Sequence, residues 1–502
     1  MERRSALGLL SAGALGSLLN PGTARAKVPG ISELLAIPDM PADGSFETEE
    51  RFFSRFSRQL LLEPRHRYVT AAQKGSMPLP VLREFKRGLT QIAKDPFPVY
   101  LEPSATTRGK IAPGYGARVD EIAICRNTTD GVSLVLHGID WQSGDELLTS
   151  TIEYPNCVAT LLRVASRFGL TIRQFGVPME PTSTLAELLA SIRRQVRPGK
   201  TKVLFFSAIA QPNGQVMPLR PIAELAQEFG IITVVDGAHY AGMFTPNLDE
   251  TGIDFCSMAG HKWQCGPGGT GVLYVRNTPL PSNPAEPPRF HLLRSGNLDG
   301  PMDGSRLASF DIGAALSVYG FPESADWRAL GQVCQLWDKV GRDRFQAYIL
   351  GLADYARGRL TEVFGPNCFL QSVRDPSLKS GIIAFNPFQE PIQRRNYALA
   401  SHFQKLMFDE HQYHVGMGGL GPQGLTRPPD PDATAFYTGC IPNRDPESNA
   451  PAPTDIPIRF STGFWLTRRD IDRFILTCVK MADKALNSPV LEAPQPDFGD
   501  AA

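Results

Sequence analysis

The chain lacks an excess of either charge. Its 502 residues carry 51 Lys+Arg against 51 Asp+Glu, so no net field is available to recruit nucleic acid or an anionic membrane surface. It also lacks metal-type cysteine spacing. The eight cysteines, at 125, 157, 256, 265, 334, 368, 440 and 478, include no C-x-x-C pair, which argues against zinc-ribbon and thioredoxin-like sites. No helix-turn-helix or zinc-finger spacing occurs, and no internal repeat. No stretch beyond the first residues is long and apolar enough to span a bilayer, so neither stable membrane insertion nor a nucleic-acid partner is expected. What remains is an ordinary globular composition, 42% hydrophobic and 20% charged, in a chain too long for one core; two or three domains are expected.

The first residues read as an address. Met1-Glu2-Arg3-Arg4 is basic, residues 5–19 are rich in Gly, Ala and Leu, and Ala24-Arg25-Ala26 has a small-x-small cleavage pattern. The Arg3-Arg4 pair before a mildly apolar stretch predicts a twin-arginine signal over 1–26, with the export machinery as partner and the periplasm as location. A protein exported folded is expected to keep mostly buried free thiols, with Cys440, in a loop-like stretch, the one to watch. Residues 27–65 read as an N-terminal arm.

From 66 to 330 short apolar runs alternate with amphipathic stretches. Residues 122–125, 146–151, 171–175, 203–207, 231–235 and 271–275 read as strands, with helices at 185–196 and 220–229. Pro221 near the start and Gly230 just past the end of the latter follow the usual helix asymmetry. This alternation predicts an α/β fold: a large domain (66–330) with a mostly parallel sheet flanked by helices. A smaller α+β C-terminal domain (331–487) follows, with long helices over 329–364, strands at 381–385 and 458–461, and a closing helix at 467–485 capped by Thr467. Residues 416–431 and 443–457 read as loops, and 488–502 as a disordered tail.

The segment 231–275 carries the chemistry. Asp236 ends an apolar strand, where ligands of open α/β sheets sit. Lys262 follows a further apolar run, and Gly266-Pro267-Gly268-Gly269 leads into the next strand. Pyridoxal 5′-phosphate (PLP) needs such a set: a lysine for a Schiff base, and a carboxylate to keep the pyridine nitrogen protonated so that the ring acts as an electron sink. Both groups are candidate catalytic residues.

Gly260-His261-Lys262 with the small-residue turn after it closely resembles the lysine signature of class V aminotransferases, and Asp236-Gly237-Ala238-His239 resembles the same family's D-x-A-[HQ] motif. These are fold-type I PLP enzymes, with a seven-stranded-type sheet. The segment as a whole is most similar to the isopenicillin N epimerase branch. The resemblance covers about residues 66–485. It implies PLP on Lys262, with Asp236 at the ring nitrogen and His239 and His261 in the cofactor site. It implies that Thr128 and Thr129, opening a helix, bind the phosphate. It places Tyr154 over the ring, where desulfurases have His, and Gln211 near the cofactor O3′ and the substrate carboxylate. Arg459 is implied as the substrate-carboxylate clamp, and 71–75 as a substrate-side loop. Two departures stand out. Ala259 replaces the desulfurase phosphate-binding Ser, leaving more to His261 and Thr129. Cys440 is separated from Arg459 by a Pro-rich insertion and has no activating base nearby, against a desulfurase. Trp263 reads as packing, and Met417 with its glycines as a shaper of substrate entry.

The resemblance implies a homodimer acting on an amino-acid-type substrate, small or peptide-borne. The reaction at Cα stays open among transamination, epimerisation, elimination and oxidative decarboxylation. The chain also resembles periplasmic PLP enzymes that tailor the glutamyl side group of the siderophore pyoverdine. Within the class the rivals are an epimerase-like racemase and a C–S lyase. Outside it stands a non-catalytic PLP-fold binding protein, as in transcriptional regulators. Such a regulator needs a DNA-binding module that residues 1–65 do not supply.

Overall fold

Val, Ile, Leu and Phe fill both alternating sets of positions in the central strands, so these strands must be covered on two faces. In a computed structural model of the chain, which describes residues 37–38, 44–96, 104–294, 302–305, 310–320, 324–417 and 455–488, they are. Seven strands form one sheet: β1 (Ile122–Cys125), β2 (Glu146–Ser150), β3 (Thr171–Phe175), β4 (Thr201–Ser207), β5 (Ile232–Asp236), β6 (Phe255–Ala259) and β7 (Gly271–Val275). Their order is β1-β7-β6-β5-β4-β2-β3. All pairings are parallel except those of β7, which runs against both β6 and β1. On β4, Val203 and Phe205 enter one core cluster while Leu204 and Phe206 enter the other.

Three antiparallel strands form a second sheet in the order β8-β10-β9: β8 (Ile382–Phe385), β9 (Gly416–Met417) and β10 (Ile458–Ser461). The closing helix Arg468–Asn487 starts at Thr467, whose hydroxyl accepts from the Asp470 N–H while Asp470 reaches back to the Thr467 N–H, as a capping box does. The long-helix stretch resolves into Ser324–Val340 and Arg342–Phe364. Gly341 separates them with φ of 104°, a value side-chain-bearing residues avoid. The expected boundary at 330/331 falls inside the first of these helices.

Residues within the expected arm form the helix Phe46–Phe56. Its Phe52, Phe53 and Phe56 are buried, and Phe53 and Phe56 meet Phe345 and Phe464, with Trp337 beside Phe56. Sequence patterning did not single out this helix because its apolar face is complete only with partners far along the chain. The seven described cysteines are free and buried. Among the described residues no helix is long and apolar enough to cross a membrane. The signal segment, Cys440, most of the 416–431 and 443–457 loops, and nearly all of the C-terminal tail lie outside the described residues.

The loop carrying Gln211 is pinned to the second sheet. Gly214 has φ of 76°, its carbonyl accepts from Ser380 Oγ at 2.7 Å, and a Cβ there would lie 2.4 Å from the Ile382 carbonyl oxygen. Gly214→Ala therefore combines left-handed strain with a backbone clash. It is expected to cost about 2 kcal/mol or more, read as a lowered urea midpoint with an unchanged far-UV spectrum.

Candidate active site

Lys262 lies on the loop that closes the β6–β7 hairpin. That loop is folded tightly on itself: Gly260 N–H donates to Thr270 C=O at 2.9 Å, Gly266 N–H to Gly260 C=O at 2.7 Å, and Cys265 N–H to Lys262 C=O at 3.0 Å. A Cβ on Gly266 would stand 2.7 Å from the Gly260 carbonyl oxygen, so the small residues here are a packing requirement. The fold thereby delivers the lysine to the carboxyl ends of β5 and β6.

Four side chains converge there. Nζ of Lys262 lies 3.4 Å from His239 Nε2 and 6.0 Å from the centre of the Tyr154 ring. Asp236, at the end of β5, is buried and attracts the Lys262 charge. Burial pushes the Lys262 amine down to about 8, Asp236 opposing this shift and the Arg459 charge adding to it. Both Asp236 oxygens already accept a donor, Oδ1 from Ala238 N–H at 2.9 Å and Oδ2 from the Cys157 thiol at 3.3 Å. Burial, then the charges of Lys262 and Arg459, hold His239 well below the usual imidazole range, so its ring is neutral. Trp263 Nε1–H donates to His239 Nδ1 at 3.4 Å. With Nδ1 accepting, the ring proton sits on Nε2 and faces Nζ, an arrangement that suits a free amine.

The expected phosphate residues sit at the start of the helix Thr128–Gly138, capped by the Asn127 side chain. The Thr128 carbonyl accepts from Ser257 Oγ of β6 at 2.9 Å. The Thr128 hydroxyl and His261 Nδ1 are buried and have no hydrogen-bond partner in the protein. An orphaned hydroxyl at a helix N-terminus, where first-turn N–H groups lack intrahelical acceptors, fits an anionic phosphate, and His261 Nδ1, on the residue before Lys262, is a second orphaned atom. Thr129 lies in the same first turn and is partly buried.

Arg459 is buried in the middle strand of the second sheet, opposite Ala384 and Gly416. Its Nη1 donates to the main-chain carbonyl of Gln211. A Cβ on Gly416 would approach the guanidinium to 3.1 Å, so glycine there leaves the arginine room. Gln211 thus joins the site through its backbone. The 71–75 loop links the two halves: Gly75 N–H donates to His261 C=O at 2.8 Å, and Ala72 N–H to Ser461 Oγ at 3.3 Å. Met417 pairs with Ile458 in β9.

Three members of the site escaped sequence reasoning. Trp263, read as packing, is buried but also orients His239. Cys157 holds Asp236. Glu153, the residue before Tyr154, is buried between Ser150 and Ser207. Their one local signal was proximity to Tyr154 and Lys262, since the partners lie on other strands.

The family described as aminotransferase class-V matches residues 102–390. Isopenicillin N epimerase of Amycolatopsis lactamdurans is 29% identical over 51% of the chain, a match spanning 64% of that enzyme's own length. The Streptomyces clavuligerus isopenicillin N epimerase is 27% identical over 65% of the chain and 82% of its own length. Among solved structures, a cystine C–S lyase bound to cysteine persulfide superposes with a TM-score of 0.62 at 20% identity, covering 84% of this chain and 98% of that one. A cysteine desulfurase of Thermococcus onnurineus superposes with a TM-score of 0.60 at 19% identity, covering 85% and 97%. At such identity these structures speak for the fold.

The lowered basicity of Lys262 can be measured directly. In cofactor-free protein, labelling of Lys262 by an amine-reactive reagent, followed by peptide mass spectrometry, should rise with pH around a midpoint near 8. Asp236→Asn should move that midpoint lower, because the anion that favours the ammonium is gone.

Proposed function

We propose, from the premise that this chain belongs to the class V aminotransferase family, whose members are PLP-dependent enzymes, that it uses PLP on Lys262 to act on an amino-acid-type substrate. The observation that carries this reading is the convergence of Lys262, Asp236, His239 and Tyr154 at the carboxyl end of the sheet, beside two partnerless phosphate-type donors.

PLP, when bound, supplies an electron sink for the electron pair left at Cα. The protein's own groups do the rest. Asp236, fixed by Ala238 and Cys157, is placed to pair with a protonated ring nitrogen. Thr128, Thr129 and His261 would hold the phosphate, and Tyr154 would lie against the ring. Arg459 offers a guanidinium to the substrate carboxylate, a bidentate match, with Gln211 steadying it. Lys262, with basicity brought near neutrality by burial, can take a proton from Cα and return it. Delivery of a proton to the opposite face by a second donor would give epimerisation, the activity named for the Amycolatopsis and Streptomyces relatives. Loss of a β-substituent gives the lyase outcome, and a fission-yeast hercynylcysteine sulfoxide lyase is 25% identical over 43% of the chain. Both outcomes begin with the same removal of the Cα proton by Lys262.

We further propose export and action on a peptide-borne side group, in the manner of siderophore tailoring, by a homodimer. The Arg3-Arg4 pair, the apolar stretch 5–19 and Ala24-Arg25-Ala26 support export. The likeness of the chain to periplasmic pyoverdine-tailoring PLP enzymes supports the substrate class.

Reconstitution of the purified protein with PLP should give a visible absorbance band that Lys262→Ala abolishes. A wild-type protein without such a band overturns the cofactor assignment. Incubation with amino acids and siderophore precursors in D2O should then separate Cα exchange from elimination by product mass. Replacing Arg3 and Arg4 together by Lys should leave the protein in the cytoplasmic fraction; unchanged export would remove the twin-arginine route.

A further inference from the structure

A row of polar side chains crosses the carboxyl ends of three neighbouring strands, and the chemistry above uses only one of them. Asp236 ends β5, and Ser207 ends β4 directly beside it. Glu153 follows β2, the next strand on the far side of β4. Glu153 is 2% exposed, so it is withdrawn from solvent at least as fully as Asp236 at 4%. Its Oε2 lies 2.5 Å from Ser207 Oγ. Its Oε1 accepts from Ser150 Oγ at 2.6 Å and from Ser207 N–H at 3.2 Å.

The neighbouring charges decide its form. No described Lys or Arg makes an ion pair with Glu153. On β5 the charged group is Asp236, which repels it. On the helix Pro155–Phe168 the Cys157 thiol is turned to Asp236. From the β6–β7 loop the Lys262 charge is answered by Asp236, not by Glu153. Serine donors are the only compensation on β2 and β4. A buried carboxyl group beside a second one, with no cation of its own, does not ionise cheaply.

We propose that Glu153 is a positioning residue of this site that works as a neutral carboxylic acid, tying β2 to β4 behind Asp236 without adding a second negative charge there. The benefit to the cofactor rests on the PLP reading; the protonation state does not. Burial raises the Glu153 carboxyl to about 7, Asp236 adding to the rise and the serines opposing it. The carboxyl is thus raised above its unfolded value. It contributes stability that is present at acid pH and is lost as pH climbs through about 7.

Glu153→Gln keeps the shape and removes the ionisation. In cofactor-free protein the Tm of the variant relative to wild type is expected to rise by a few degrees between pH 5, just above the ordinary carboxyl value of 4.5, and pH 8.5. With PLP, its affinity at pH 6 should stay within about threefold of wild type, less than the loss of one net hydrogen bond to a charged group. A Tm gap that is the same at both pH values, or a PLP affinity about tenfold weaker at pH 6 in a folded variant, would show that the anion is the working form. Infrared difference spectra of the wild-type protein decide the matter even if the variant does not fold. A buried carboxylic-acid band present at pH 6 and lost by pH 9 is expected; its absence at pH 6 overturns the proposal. Failure of wild type to bind PLP would sink the cofactor reading while leaving the Tm and infrared results to judge Glu153.

Discussion

The attraction between Lys262 and Asp236, inside a cleft that penalises every charge, is the interaction on which the site depends. Burial alone would strip the amine of its proton; the carboxylate restores part of that affinity, and the amine settles at about 8. The fold secures the pair with few degrees of freedom. Asp236 is the last residue of a strand hydrogen-bonded on both sides. Lys262 follows a strand that turns back at once into β7, so the loop cannot drift without breaking the hairpin. Trp263, His239, Cys157 and the Ala238 N–H then fix the orientation of the two groups, each by a single hydrogen bond.

Much of this was legible from the chain alone, for local reasons. β1, β3, β7 and β10 coincide with the runs that predicted them, because each is bounded by turn or polar residues; β1, β7 and β10 are also buried throughout, while the edge strand β3 is only partly so. Asp236, His239, His261 and Lys262 sit in two short motifs, so their proximity needs only one strand-to-strand step. Arg459 lies far along the chain; its placement came from family resemblance, and the structure sets it close enough for its charge to bear on Lys262. What stayed illegible required knowledge of strand order. Glu153 and Asp236 are neighbours only because β4 lies between β2 and β5, and no periodicity states that. The helix Phe46–Phe56 was missed for a similar reason. Its phenylalanines look unremarkable until Trp337, Phe345 and Phe464 arrive from distant segments.

The two sheets divide the labour. The seven-stranded sheet holds Lys262 and Asp236, and the three-stranded sheet brings Arg459, for which we propose a carboxylate-binding role. Their junction is built from backbone contacts. Gly75 donates to His261 C=O, Ser461 N–H to Val69 C=O at 2.7 Å, and Gln211 offers its carbonyl to Arg459. Gly75 is obligatory in this junction, since a Cβ would fall 2.0 Å from the Lys262 carbonyl oxygen.

That construction has an evolutionary consequence. The 71–75 loop is held at its ends by its main-chain N–H groups, while Gln73 and Lys74 between them are exposed. The Lys74 amine still reaches Gly268 and its charge bears on His261, so of the two only Gln73 is uncoupled from the geometry of Lys262. A descendant protein can exchange Gln73 and inherit the Lys262 loop unaltered.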